Sequence, residues 1–225
     1  MDSTPFQLLD AHLIGQGLHR FCYQHPADPT RCIKVSLDNS ARSLQEITRE
    51  LRFYRFLEKV DAQDRAHLNR ILPRYHGRVE TTRGEGHVFD LVLDANGSIS
   101  KPLSHYLQDE QLMARYGDRI RSAYQEFKTV ALTGNLITMA LKPYNILLQE
   151  KGDNAYQLVL VDSLGTANLI PIVYLSRCLA RAKTRRHLTR FEQGLQEHYG
   201  FVIAPTGSTA DDRYQDAPQG SNRTL

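Results

Sequence analysis

The chain has few cysteines. Cys22, Cys32 and Cys178 are too scattered for a disulfide framework or a zinc cluster, which points to a reducing compartment. Long apolar runs are missing too: none approaches the roughly 18 residues that a membrane span needs. The opening Met1-Asp2-Ser3-Thr4-Pro5 has no basic stretch leading into an apolar core, so no secretion signal of that kind is read. The expected location is cytoplasmic, without a membrane span. A strong charge of one sign is also lacking, with 28 Lys and Arg against 25 Asp and Glu, a net +3. Bulk charge therefore makes no case for nucleic acid. No internal repeat is found. What remains is a 225-residue chain, 41% hydrophobic and 24% charged, which is the composition of a soluble globular protein with room for one large domain or two small lobes.

Phe6 to Ile14 is apolar-rich and ends at Gly15-Gln16-Gly17. Short strands are expected around Phe21-Cys22-Tyr23 and Thr30 to Val35, separated by the turn His25 to Pro29. A glycine pair between strands lets backbone amides approach a phosphate, because no Cβ intervenes; the same pair also makes a plain hairpin turn. Lys34 lies opposite in face to Ile33 and Val35. It is either an outward-facing lysine or, if that face covers a nucleotide, a partner for phosphates. Leu44, Ile47, Leu51, Tyr54, Leu57 and Val60 recur at three and four, predicting a helix over 43–60. Glu46 and Glu50 stand one turn apart on it, and either could turn back to Lys34 or stay solvated beside Arg49 and Arg52. Residues 61–70 read as the end of that helix or a loop. The runs 75–81 and 87–93 flank a glycine-containing turn and predict a hairpin.

Turn residues concentrate in 94–102, the expected hinge, and periodicity then becomes helical. Leu103 to Leu107 predicts a short helix, and residues 111 to about 133 a long one that Gly134-Asn135 stops. Asn145 to Gln149 and Tyr156 to Val161 form a hairpin with Asn145 before its first strand and Asp162 at the end of its second. An amide and a carboxylate brought together there are hard oxygen ligands that suit Mg²⁺ or Mn²⁺ with phosphate oxygens completing the shell; they also serve as local turn caps. Residues 170–191 predict a helix with a basic side of Arg177, Arg181, Lys183, Arg185, Arg186 and Arg190. That stripe is either a solvated or internally paired face, or a surface for an acidic partner, a polyphosphate or RNA. Beyond 205 almost no large apolar residue occurs, and a disordered tail over 205–225 is expected.

Taken in order, Gly15-x-Gly17, Ile33-Lys34-Val35, Glu50, Leu141-Lys142-Pro143-x-Asn145-Ile146-Leu147-Leu148 and Asp162 resemble the protein kinase-like fold. More closely, Gly15 to Val35, Glu46 to Leu57, Tyr75-His76-Gly77, Leu141 to Leu147 and Leu169-Ile170-Pro171 resemble the YrbL family, bacterial proteins named after the PhoP regulatory network. The resemblance spans roughly residues 10–192. It implies an α+β, two-lobed, protein kinase-like fold with a reduced C-terminal lobe: an N-terminal lobe over 1–94 with antiparallel sheet plus one helix, and a helical lobe over 95–204. It also implies ATP and Mg²⁺ (or Mn²⁺) between the lobes. Gly15 and Gly17 then match the first two glycines of the phosphate-covering loop, with Arg20 where the third would stand. Lys34 matches the phosphate-pairing lysine, Glu50 its helix partner with Glu46 as the weaker choice, Lys142 the contact to the transferring phosphate, and Asn145 and Asp162 the metal ligands.

Two departures accompany the match. The aspartate that would accept the substrate proton falls on Ala140, so a general base is absent, which costs on the order of 10²- to 10⁴-fold in rate. After Asp162 only about 40 foldable residues remain, too few for a peptide-cradling lobe. The expected function is thus an ATP- and Mg²⁺-binding atypical kinase-like protein with weak phosphotransferase activity in bacterial regulation. The alternatives are an inactive pseudokinase adaptor with a protein partner on basic helix 177–190, and, least favoured, an RNA-binding protein.

Overall fold

A computed structural model describes residues 4–166 and 176–203. Its elements are β1 (Leu13–Gln16), β2 (Arg20–His25), β3 (Asp28–Ser36), α1 (Ala41–Leu57), α2 (Ala62–Leu68), β4 (Tyr75–Thr81), β5 (Gly84–Asp90), β6 (Lys101–Pro102), α3 (Leu103–Leu107), α4 (Glu110–Thr133), β7 (Ile146–Gly152), β8 (Ala155–Leu160) and α5 (Arg177–Tyr199). Among the described residues the protein is α+β, with five α-helices and two sheets: an antiparallel one ordered β1-β2-β3-β5-β4 and a smaller one ordered β6-β7-β8. The expected tail over 205–225, the first residues of the expected 170–191 helix and Leu169-Ile170-Pro171 lie outside the described residues.

The first sheet has different cores on its two faces. Ile33 and Val35 pack with Leu8, Tyr23 and Val88 in a small cluster. Cys32 points the other way, into the main core, and strand alternation puts Lys34 on that face too. The main core joins Phe53 and Tyr54 of α1, Phe89 of β5, Tyr124 and Phe127 of α4, Leu158 and Leu160 of β8, and Leu188 and Phe191 of α5. Each large side chain buried there contributes roughly 1.5–3 kcal/mol.

Four elements differ from expectation. On α1 the buried stripe is turned by one position: Leu44 is 47% exposed, whereas Ser43, Ile47, Glu50, Phe53, Tyr54 and Leu57 are buried. The carboxylate at Glu50 tolerates this place because it has cationic partners there. Residues 61–70, expected to be a helix end or loop, contain the separate helix α2. Asp61 caps it by accepting from the Gln63 amide, 2.8 Å away, and Leu68 anchors it in the core. Gly134 lets it approach the end of α4, since a Cβ there would lie 2.7 Å from Leu68 Cγ.

The second strand of the 75–90 hairpin begins at Gly84 instead of residue 87. Gly86 belongs to the ladder, paired with Val35 and Val79, and its missing Cβ leaves room for Ile33, whose Cγ2 would otherwise be 2.6 Å away. Finally, α5 runs past the expected end at residue 191 to Tyr199, because Leu195 is still core. Gly200, at φ 63°, closes it with a left-handed cap.

The 94–100 segment is fixed to β7. One Asp94 carboxylate oxygen accepts from the Glu150 amide at 2.9 Å and the Ser100 hydroxyl at 2.6 Å, and Ala95 N–H donates to Glu150 O at 2.8 Å. Leu160 N–H donates to Ile71 O at 2.8 Å. Together with the shared core, these contacts bring the end of β8 against β3 and α1.

Candidate functional site

Three side chains from the first sheet and α1 converge on Val161 and Asp162, the two residues that follow β8. Lys34, in the middle of β3, is 7% exposed, and its ammonium lies 4.3 Å from the centre of the Phe89 ring. It donates to Glu50 Oε1 at 3.0 Å and to the Val161 carbonyl at 2.7 Å. Glu50 is reached from α1 and is 2% exposed. Its other oxygen accepts from Arg20, whose second guanidinium nitrogen lies 2.5 Å from Asp162 Oδ1. The outcome is a chain of alternating charge, Lys34–Glu50–Arg20–Asp162, with two cations and two carboxylates.

This arrangement settles the choice between the α1 carboxylates. Glu46 pairs with Arg49 one turn along the same helix, at 2.5 Å, and Glu50 takes Lys34. It also shows what sequence reasoning missed. In the sequence Arg20 marks only the place where a third loop glycine does not occur, yet it is the side chain that ties Glu50 to Asp162. Strand alternation carried the signal: Arg20 shares a face of β2 with Cys22, and Cys22 pairs across to Lys34. Arg20 therefore belongs to the Lys34 side of the sheet.

The electrostatics are mutually reinforcing. Burial works against charge on Arg20, but Glu50 and Asp162 outweigh it and push the guanidinium pKa up. Burial likewise opposes ionisation of Asp162. Arg20, then Lys34, and the hydrogen bond from the Ser163 amide prevail and hold its carboxyl below the ordinary carboxylate range. Two thiols share this face. The neighbouring Cys32 thiol, then Lys34 and Arg20, hold the Cys22 thiol below its usual range despite burial. The Cys22 neighbour and burial push Cys32 up.

Asn145 reaches the site through Ser163. Its side-chain amide donates to Ser163 Oγ at 2.9 Å, its carbonyl accepts from the Val161 amide at 2.9 Å, and its own amide donates to Lys142 O at 2.9 Å. The loop before it is stitched to the same strand end. Thr138 Oγ1 donates to Ser163 O at 2.7 Å, and Met139 N–H to the same oxygen at 2.8 Å. Ser163, at φ 65°, takes up the sharp change of direction. Asn145 is thereby bonded to Val161 and Ser163, the residues on either side of Asp162. Lys142 is exposed on this loop, and a methyl group stands at Ala140.

Gly15 lies in β1, paired with Cys22, and Gly17 in the β1–β2 turn. Gly17 N–H donates to Arg20 O at 2.9 Å, and a Cβ on Gly15 would meet nothing within 4 Å. Gly17 is thereby linked to the cluster through the backbone of Arg20. Leu18, at the tip, is 86% exposed.

The basic face of α5 is a separate region. Ser176 caps the helix, and Ala180, Thr184, Leu188, Phe191 and Leu195 face the core. Thr184 Oγ1 donates to Leu136 O at 2.6 Å, and Glu192 accepts from Tyr124 Oη at 2.9 Å and Lys128 Nζ at 2.7 Å. Of the basic side, Arg177 pairs with Asp64, and Lys183 donates to Thr166 Oγ1 at 3.1 Å. Arg181, Arg185, Arg186 and Arg190 are exposed and have no ion pair among the described residues. Burial and Arg186 push the Lys183 pKa down. His187 is driven to about 4 by burial and by Lys183, Arg186 and Arg190.

Two concavities lie away from both regions. One of about 510 Å³ is bordered by Thr4, Phe6, Arg78 and Glu85, and one of about 360 Å³ by Met113, Arg121 and Phe201. Among the described residues no helix is long and apolar enough to cross a membrane, and no group of three His, Cys, Asp or Glu could by itself hold a metal ion.

A family model described as PhoP regulatory network protein YrbL matches residues 6–196. Two bacterial proteins called YrbL and described as uncharacterized, one from Escherichia coli (strain K12) and one from Shigella flexneri, are each 34% identical over 187 residues, covering 79% of this chain and 82% of the relative.

Proposed function

The chain belongs to the YrbL family of PhoP regulatory network proteins, and we propose that it binds ATP with a divalent cation at the Lys34–Glu50–Asp162 cluster, in a protein kinase-like, two-lobed architecture. The observation that carries this reading is the buried Lys34–Glu50 pair at 3.0 Å, whose ammonium also sits 2.7 Å from the carbonyl next to Asp162. A lysine so held is pre-positioned for phosphate oxygens, because its carboxylate partner fixes the ammonium in place.

The oxygen donors fit Mg²⁺ or Mn²⁺. Such ions are commonly bound by one or two carboxylates and completed by substrate phosphates, and the lack of a closed three-ligand group among the described residues suits a cation that arrives with a polyphosphate. Asp162 would hold it, with the Asn145 amide beside it. When bound, the cation would neutralise charge on the phosphates. Lys142, exposed on the 138–145 loop, would contact the phosphate remote from Lys34. Ala140 offers no acceptor for a substrate proton, so phosphoryl transfer at this site is slow and the main role is nucleotide-dependent regulation.

ATP with Mg²⁺ should raise the melting temperature. A ligand at about a hundred times its Kd adds about 2.7 kcal/mol of stability, and Asp162→Ala should remove the shift. An unchanged melting temperature in the wild type sinks the proposal. Incubation with labelled ATP separates a slow kinase from a pure binder.

A second reading rests on a different observation: four exposed arginines on α5 without ion-pair partners among the described residues. They suit an acidic protein surface, and an adaptor role would use them with or without phosphoryl transfer. Charge reversal at Arg181, Arg185 and Arg186 should abolish such a contact. Recovery of the same partners by the reversed variant counts against it.

A further inference from the structure

We propose that Arg20 is an internal counter-cation that closes Asp162 to a lone divalent ion, so that metal enters only with a polyphosphate able to take over the guanidinium. For its ligand this inference rests on the ATP-binding reading; its first test does not use a nucleotide.

Lys34 and Arg20 balance Glu50 and Asp162 without any added ion. Asp162 is the outermost member, its side chain 36% exposed, whereas the Arg20 side chain is 10% and that of Glu50 3% exposed. The oxygen that faces Arg20 at 2.5 Å also accepts from the Ser163 amide. A cation approaching Asp162 must therefore compete with a guanidinium that is already desolvated and held at its other end by Glu50. A planar guanidinium is suited to bridging two carboxylates in this way.

Bare Mg²⁺ or Mn²⁺ gains one carboxylate and leaves Arg20 a buried charge with one partner fewer, an unfavourable exchange. A metal polyphosphate changes the balance. Its anionic oxygens offer Arg20 a new acceptor while the metal takes Asp162, so each charge keeps a partner. The β1–β2 turn does not hold the guanidinium: the Gly17 amide bonds the arginine's backbone carbonyl, which leaves the side chain able to change partner. The position where a third loop glycine is lacking would thus make the site selective for metal bound to phosphate over metal alone.

The test is Mn²⁺ binding to the full chain, followed by the electron paramagnetic resonance signal of free Mn²⁺. Wild type with Mn²⁺ alone should show no stoichiometric binding. Arg20→Gln should bind at least about tenfold more tightly, the factor expected when one charge-assisted hydrogen bond no longer competes, and Asp162→Asn added to it should cancel the gain. Wild type binding Mn²⁺ alone as tightly as Arg20→Gln overturns the inference, as does Arg20→Gln showing no gain. If the glutamine variant does not fold, Arg20→Lys serves: an ammonium lacks the fork that bridges both carboxylates, so a smaller gain is expected and none contradicts. In a second arm, adenylyl imidodiphosphate should bring Mn²⁺ into the wild type. If it does not, while Arg20→Gln still gains Mn²⁺ alone, the nucleotide reading fails and the counter-cation role stands.

Discussion

Arginine and lysine dominate both the cluster at Asp162 and the outer face of α5, but they are used in opposite ways. In the cluster each cation touches a carboxylate, and Lys34 and Glu50 are almost wholly buried. On α5, Arg181, Arg185, Arg186 and Arg190 face solvent, with no ion pair among the described residues, and the inner neighbours His187 and Lys183 are shifted away from charge. Paired and buried, a cation fixes geometry at the expense of desolvation. Exposed and unpaired, it contributes mainly a field, which salt screens.

The comparison breaks most readily at Glu50. Glu50→Gln leaves Lys34 and Arg20 buried with one carboxylate between them and should lower stability by about 3 kcal/mol or more, measured by urea unfolding. A smaller effect, Tyr124→Phe, removes the buried hydroxyl that ties α4 to Glu192 on α5 and should cost about 1 kcal/mol. Any larger loss in that experiment would show that α5 is held by polar contacts more than by its apolar face.

The two regions should also answer differently to pH. His187, neutral in the fold down to about pH 4 against an ordinary 6.5, takes up a proton more readily when unfolded. Stability should therefore be unaffected above pH 6.5 and fall as pH drops from 6.5 towards 4. His187→Gln should flatten that limb of a melting-temperature profile. Replacing Arg186 and Arg190 with Gln should narrow the window by letting the His187 pKa rise. Asp162 acts in the same direction at lower pH: its depressed carboxyl contributes stability at and above the ordinary carboxylate range and loses it only in stronger acid. The smallest effect belongs to the outer arginines. Arg181→Glu with Arg185→Glu should change unfolding free energy by no more than about 0.5 kcal/mol, since neither side chain has an ion pair to lose among the described residues.

The regular elements were legible where periodicity carried them. The α4 stripe and the β7–β8 hairpin follow from apolar spacing, and with the hairpin came the bonds of Asn145 to Val161 and Ser163, the neighbours of Asp162. The pairing of Lys34 with Glu50 also agrees with the order of the motifs. Periodicity failed where a polar residue is buried for its partner: the stripe of α1 is turned because Glu50 occupies a core position, and no local pattern announces a salt bridge to strands some 16 to 30 residues away. Gly86 looked like turn chemistry and instead makes room for Ile33. Arg20 was hidden for a related reason. A motif describes what a position should hold, and a glycine missing from it says nothing of what the replacing side chain reaches.

The proposed role of the Lys34–Glu50–Asp162 cluster is to bind a nucleotide with its cation. Isothermal titration of Mg²⁺ and adenylyl imidodiphosphate into wild type and Lys34→Met tests it most directly. One-to-one binding in the wild type that disappears in Lys34→Met is the predicted result. No binding in the wild type, or the same binding in both proteins, would contradict it.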